Sequence, residues 1–353
     1  MKIKTRPEDF KVVEVLKEKP SREKRGRYRY YRLFKKGMET PEAIRRVASL
    51  SGLRPGDVLY AGLKDKNART VQFVAVRAPL KLKKIRSDRL KLEFSGWLDR
   101  PPREVIEGNR FEITVRGVED FPRERIEILK KAGLPNYYGE QRFTPVRGGR
   151  FFVLELLKGP EEAVKYLFTP AGWENSLSRR AKKLFIEGDF HGAAALFKGW
   201  RRKVAEYLAK GGSWEGALSL IPRDELEFQA NVFQAYLFNR LLSELVRERS
   251  SAFLKFRYKL GYLYYPVERV EFPEELPVFT PSESLYDTLL LELGAGRGEL
   301  SSLSHLFHPF KRRTFVRPGS FRAERLRQGY LFEFFLPSGS YATNLLRFLL
   351  SAV

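Results

Sequence analysis

The sequence predicts an α+β protein: a discontinuous, mainly antiparallel sheet domain carrying a mostly helical insertion. Three observations predict it. Period-two alternation of apolar and polar residues dominates both ends of the chain, and helical periodicity dominates the middle. With 353 residues, the chain is long enough for two hydrophobic cores. The expected boundaries are 1–150 and 310–353 for the sheet domain and 151–309 for the insertion.

The elements follow in order. FKVVEV (10–15) alternates and reads as a strand. SREKRGRYRYYRLFKK (21–36) is basic with interleaved rings, which suits either a solvated strand face or a phosphate-tracking surface with rings for bases. Thr40 is expected to cap a helix with Pro41 in its first turn, Ile44, Val47 and Ala48 on one face, and Gly52 as its stop. DVLYA (57–61) and TVQFVAV (70–76) read as strands, so residues 62–69 form a loop between them. LKLKKIRSDRLKLEFSGWL (80–98) reads as basic strands, and RFEITVRG (110–117) as another. Pro122 to Ala132 is an amphipathic helix that Gly133 ends, and LPNYYGEQRFTP (134–145) is irregular. Helical patterns follow in RRAKKLFIEG, RRKVAEYLAKGG and NVFQAYLFNRLLSELVRER. TFVRPG and YLFEFFLP (330–337) restore strand character before a final helix, YATNLLRFLL.

Composition narrows the function. Lys and Arg total 66 against 43 Asp and Glu, a formal charge of +23. The first 50 residues alone carry 16 Lys/Arg against 7 Asp/Glu. Such an excess attracts polyanions, nucleic acid above all. The absence of cysteine removes disulfides, thiolate nucleophiles and Cys-based zinc sites. The three histidines, His191, His305 and His308, are too few for a His-rich metal centre and lie in no nucleophile-elbow context. No long uncharged apolar run suggests a membrane span, and the start alternates like a strand instead of reading as a signal peptide. A cytoplasmic protein is expected.

Two stretches compete for chemistry. LELGAGRGEL (291–300) places glycines after an apolar run, as in loops that cradle S-adenosylmethionine. Its position near the end of the chain argues against that, because a doubly wound sheet puts its first glycine loop early. AGLKDKNARTVQ (61–72) sets Asp65 between Lys64 and Lys66, with Arg69 beyond. A carboxylate among cations is favoured in its ionised form and can act as nucleophile or base. The same residue could simply pair with Lys64, Lys66 or Arg69.

GLKDKNARTVQ closely resembles the signature of the TruD family of tRNA pseudouridine synthases, with Gly62, Lys64, Asp65, Ala68, Thr70 and Gln72 filling its fixed places. PEDFKVVE (7–14), EGNRFEITVRG (107–117), LPNYYGEQRF (134–143) and LPSGSYATNLLR (336–347) resemble four further blocks of that family, in order. The resemblance implies a pseudouridine synthase-type sheet core, an inserted TruD-specific domain, and RNA bound in a cleft touching both. It implies that Asp65 is the essential nucleophile and that no metal or organic cofactor is needed. It also implies that Phe10, Tyr138 and Tyr341 present rings to the substrate, that Asn136 hydrogen-bonds the target nucleotide, and that Lys4 lies near the carboxylate. Position 13 of tRNA is the family's usual target. Tyr138 and Tyr341 stand where the family commonly has Phe, and Glu39-Thr40 stands where it has Asn-Thr. The Gly-x-Gly-x-His run expected before the second strand is absent. Arg179, Arg180, Lys182, Lys183 and Arg201 to Lys203 are candidate phosphate contacts or solvated helix faces. The rival readings are an S-adenosylmethionine-dependent RNA methyltransferase using Gly294 to Gly298, and a non-catalytic tRNA-binding protein.

Overall fold

The computed structural model describes residues 6–23 and 25–351. The chain divides into two compact units, one running to Leu134 and resuming at Val316, the other spanning Pro135–Phe315.

The first unit is built on a nine-stranded sheet. Its strands are β1 (Phe10–Leu16), β2 (Tyr28–Lys36), β3 (Leu59–Tyr60), β4 (Arg69–Arg77), β5 (Ile85–Arg86), β6 (Leu90–Leu98), β7 (Ile106–Arg116), β8 (Gly319–Leu326) and β9 (Gly329–Pro337). They lie in the order β8-β9-β7-β1-β4-β2-β6-β5, with β3 beside β4. Among the described residues of this sheet only β1 and β4 pair in parallel, Lys11 opposite Arg69 and Val13 opposite Val71. The other pairings are antiparallel. The two ends of the chain therefore share one sheet through β7 and β9.

Helix α1 (Thr40–Ser51) buries Ala43, Ile44, Val47 and Ala48. They pack with Tyr31 and Leu33 of β2, Val74 and Val76 of β4, and Leu90 and Leu92 of β6. Each buried Val, Leu or Ile among them stabilises the fold by roughly 1.5–3 kcal/mol over its exposed state. Gly52 ends the helix at φ 71°, a left-handed value that glycine adopts without strain. The N-cap is Glu39, not Thr40 as the sequence suggested. The Thr40 hydroxyl is engaged elsewhere, as described below.

The basic, ring-rich stretch is also corrected. Its residues 28–36 are β2, a central strand between β4 and β6. Tyr30 and Tyr31 are buried, their hydroxyls bonding the Arg100 carbonyl and the Leu82 amide. These rings fill a core and offer no surface to RNA bases.

A ladder of rings crosses four strands: Phe10 meets Phe111 edge-on, Phe111 stacks on Phe334, and Phe334 on Phe321. Helices α2 (Glu124–Ala132) and α3 (Ala342–Leu350) are tied together by one buried side chain. Arg125 Nη1 donates to the carbonyls of Phe348, Leu349 and Ser351 at 2.9, 3.4 and 2.7 Å, serving the otherwise unsatisfied end of α3.

The second unit is mostly helical, around the 27-residue helix Arg223–Arg249, whose buried residues lie on nearly every face. It also holds a hairpin, Phe253–Tyr258 with Gly261–Pro266, that the sequence reading missed. Among the described residues no helix is long and apolar enough to cross a membrane. Residues 135–150, read from the sequence as part of the sheet domain, cluster with this unit because the long helix and the strand Lys311–Arg313 grip them.

Replacing Arg125 with Met should destabilise the sheet unit by about 2–3 kcal/mol, since it strips a charged donor from buried carbonyls. Urea unfolding of both proteins measures this, and an unchanged midpoint would contradict the account.

Candidate active site

Asp65 sits on the loop between β3 and β4, with its side chain exposed. The loop backbone is held from beneath by the connection between β2 and α1, the segment KKGMET (35–40). Lys35 is 0 % exposed and lies on the inward face of β2 with Tyr31 and Leu33. Its ammonium donates to three carbonyls: Met38 at 2.9 Å, Lys64 at 3.1 Å and Asp65 at 2.9 Å. An ammonium has three N–H donors, and here all three are matched. Thr40 Oγ1 accepts from the Lys64 amide at 3.0 Å and donates to Gln72 Oε1 at 3.2 Å. The Gly37 amide donates to the Ala68 carbonyl at 3.4 Å.

The flanking cations do not serve Asp65 in the way the sequence suggested. Lys64 Nζ lies 2.7 Å from Glu14 Oε1 in a pair that is almost wholly buried. Glu14 Oε2 accepts from the Phe73 amide at 2.7 Å. Lys66 faces Glu39 at 3.8 Å on the surface. Lys64 is thus a buried anchor for the loop, because a charge taken out of water needs a close partner.

Burial pushes the Lys35 ammonium down to about 8, against the pull of Asp65. Sequence reasoning missed Lys35, Thr40 and Glu14. A signal existed for the first: lysine at an inward position of an alternating strand, in register with two core residues.

The other residues singled out from the sequence are divided between the two units. Phe10 opens β1, one residue before the Lys11–Arg69 pair that follows the Asp65 loop; its ring is 2 % exposed, against Phe111. Tyr341, half-buried, is the N-cap of α3. Lys4 lies outside the described residues.

In the second unit Asn136 is 4 % exposed and Tyr138 6 %. The Asn136 carboxamide donates to the Arg313 carbonyl at 3.1 Å and accepts from Arg312 Nη2 at 3.1 Å. Arg312 also donates twice to the Asn136 carbonyl, and its guanidinium lies 4.0 Å from the Tyr138 ring centre. Asn239 of the long helix bonds both the amide and the carbonyl of Tyr138. Direct contact of a nucleotide with Phe10, Asn136 or Tyr138 would require this packing to open.

Of the candidate phosphate contacts, Lys182 is buried against Glu174 at 2.7 Å, so it is corrected to a structural cation. Arg202 pairs with Glu206 at 2.7 Å and Lys183 lies 3.7 Å from Glu187. Arg179 and Arg180 are exposed. The glycine-rich stretch follows a helix, Asp287–Glu292, and precedes a second, Arg297–Ser301. A cofactor loop of the kind considered would have to follow a strand.

The family model described as "tRNA pseudouridine synthase D (TruD)" matches residues 1–254. "tRNA pseudouridine synthase D" of Aquifex aeolicus is 30% identical over 379 residues, covering 98% of this chain and 97% of that protein. A Pyrococcus furiosus relative named "Probable tRNA pseudouridine synthase D" is 29% identical over 392 residues, covering 98% of this chain and 94% of that protein. A solved TruD from Methanosarcina mazei shares the fold with a TM-score of 0.69 at 21% identity, covering 99% of this chain and 93% of that one.

Lys35 gives a pH signature. Between its folded value of about 8 and the ordinary 10.5, the unfolded chain holds a proton that the folded chain has released. Stability from this group therefore rises with pH across that window, by on the order of 2–3 kcal/mol. Urea unfolding at several pH values should show that rise in the native protein relative to Lys35→Met. Parallel curves for the two proteins would refute it.

Proposed function

The chain belongs to the TruD family of tRNA pseudouridine synthases, and on that premise we propose that it isomerises uridine to pseudouridine in tRNA through the Asp65 carboxylate. The observation that carries this reading is the clamped loop: an exposed Asp65 whose own carbonyl is fixed by the buried Lys35.

The reaction breaks the C1′–N1 bond, turns the uracil and joins C1′ to C5. The proton lost from C5 balances the one gained at N1, so no oxidant, reductant or co-reactant is consumed. A carboxylate contributes by adding to C1′ or by taking the ribose 2′ proton. Either role needs an oxygen held about 3–3.5 Å from the reacting atom. Fixing the backbone on both sides of the nucleophile supplies that constraint before substrate arrives. Position 13 is the target we assign, on the family's habit.

The target uridine must leave its stack, which costs a few kcal/mol and calls for a ring to receive it. Tyr341 is the least buried of the described contact residues and suits that task. Phe10 in the first unit, and Asn136 and Tyr138 in the second, are assigned supporting roles as packed and hydrogen-bonded residues, on resemblance. The first unit is the catalytic core and the second the family-specific insertion.

Pseudouridine mapping in tRNA incubated with native and Asp65→Asn protein tests the proposal. The variant should bind tRNA and form no pseudouridine; isomerisation at the native rate would reject the nucleophile and favour a role for another residue. Tyr341→Ala should raise KM for tRNA roughly 5- to 150-fold, the worth of one stacked base, while Tyr341→Phe stays near the native value. Equal KM values for all three proteins would remove Tyr341 from the substrate's path.

A further inference from the structure

The helical unit holds a recess of about 340 Å³ that none of the preceding chemistry uses. One wall is the turn from Arg147 to Arg150, the other is the loop bearing Gly172 and Trp173, and Lys259 closes it. The turn is tight: the Arg150 amide donates to the Arg147 carbonyl at 2.9 Å. Gly148 and Gly149 sit at φ 56° and 77°. Positive φ at both central positions calls for glycine, so the two arginines are presented from a fixed hairpin. Lys259 Nζ pins the same segment through the carbonyls of Phe143 and Val146 at 2.9 and 3.0 Å.

Charge in the recess is unbalanced. Three cations line it and no acid does. Glu174 is held by the buried Lys182, Glu155 by Lys158 and, at 3.6 Å, by Arg150 of the recess itself, and Glu140 accepts from the Lys259 amide at 3.0 Å. The Arg147 guanidinium and the Lys259 ammonium donate to carbonyls. Burial and the neighbouring Arg147 lower the pKa of Lys259, and the Glu140 carboxylate partly offsets them. By contrast, the recess on the sheet of the first unit pairs its charges, Lys11 with Glu112 at 2.7 Å. Arg147 commits Nη1 to the Thr144 carbonyl at 2.7 Å, and its buried Nε has no hydrogen-bond partner among the described residues.

Trp173 supplies the second half of the argument. It is 64 % exposed, and the Arg147 guanidinium stands 5.7 Å from its ring centre. A large exposed ring beside a cluster of cations matches a phosphate with an unstacked base next to it. An anion alone needs no indole, and an apolar partner would not tolerate the cations.

We propose that the recess between the Arg147–Arg150 turn and Trp173 is a second RNA-contact site, taking one phosphodiester and its adjoining unstacked base. The proposal rests on the reading that tRNA is the substrate, and it does not depend on the role of Asp65. The site lends affinity and takes no part in the chemistry.

The test is equilibrium binding of unmodified tRNA to the full chain carrying Asp65→Asn, so that no turnover intervenes. Added to that chain, Trp173→Ala should weaken binding roughly 5- to 150-fold and Trp173→Phe should not. Trp173→Phe should also lose part of the tRNA-dependent tryptophan quenching. Arg147→Gln should reduce the slope of log affinity against log salt by about 0.7–0.9, the release from one phosphate contact. In the chain with Asp65 intact, Trp173→Ala should raise KM and leave kcat unchanged. Native affinity and salt slope in Trp173→Ala and Arg147→Gln would overturn the proposal. So would variants that bind tRNA normally but lose binding of inorganic phosphate or of polyglutamate, which would make the recess a free-anion or acidic-peptide site. Failure of the Asp65 reading would appear separately, as pseudouridine formed by Asp65→Asn.

Discussion

One buried ammonium organises the candidate active site. Lys35 reaches out of a core strand and gives its three N–H groups to three carbonyls, two of them on consecutive residues of the Asp65 loop. Desolvating a charge is expensive, and the full match of donors to acceptors is what makes the position tenable. The loop has little other reason to stay put, since it is short, polar and largely exposed. Thr40 and Glu14 act in the same sense, one on the Lys64 amide and the other on its side chain. The site is therefore less a property of the signature loop than of the strand and helix start beneath it.

This explains what was legible in the sequence. The strands β1, β4, β7 and β9, the helix from Thr40 and the final helix follow from alternation, glycine stops and proline starts, and these are local signals. Asp65 was legible through its neighbours in the motif. Lys35 was not, because its neighbours in sequence suggested a solvated basic strand, and only pairing on both sides turned that strand inward. The cations beside Asp65 were misread for a related reason. Spacing along a chain says which charges are near, but burial and a competing carboxylate such as Glu14 decide which of them pair. Asn136 and Tyr138 were legible only by resemblance. Their partners, Asn239 and Arg312, lie about a hundred and more residues away, beyond the reach of any local pattern.

The helical unit redistributes the large positive charge in a way composition could not reveal. Several of its basic residues are taken up by carboxylates one helical turn away, as in Arg202 with Glu206 and Arg223 with Glu227. Such exposed pairs contribute little to stability. They do, however, cancel charge over much of the surface, so that the remaining unpaired cations stand out. An electrostatic footprint for RNA is thus set as much by where acids are absent as by where bases are present.

The parallel pairing of β1 with β4 has a bearing on how the protein is made. Glu14, Lys35, Thr40 and Gln72, which fix the Asp65 loop, all lie between residues 14 and 72, so this part of the loop's frame closes within the first quarter of the chain. Strand β9 and Tyr341 are translated only after the whole helical unit. Domains tend to fold as they emerge from the ribosome. A nascent chain can then hold the proposed carboxylate in place long before it owns the ring proposed to receive a base, so under that proposal competence waits for β9 and α3 to join the sheet unit.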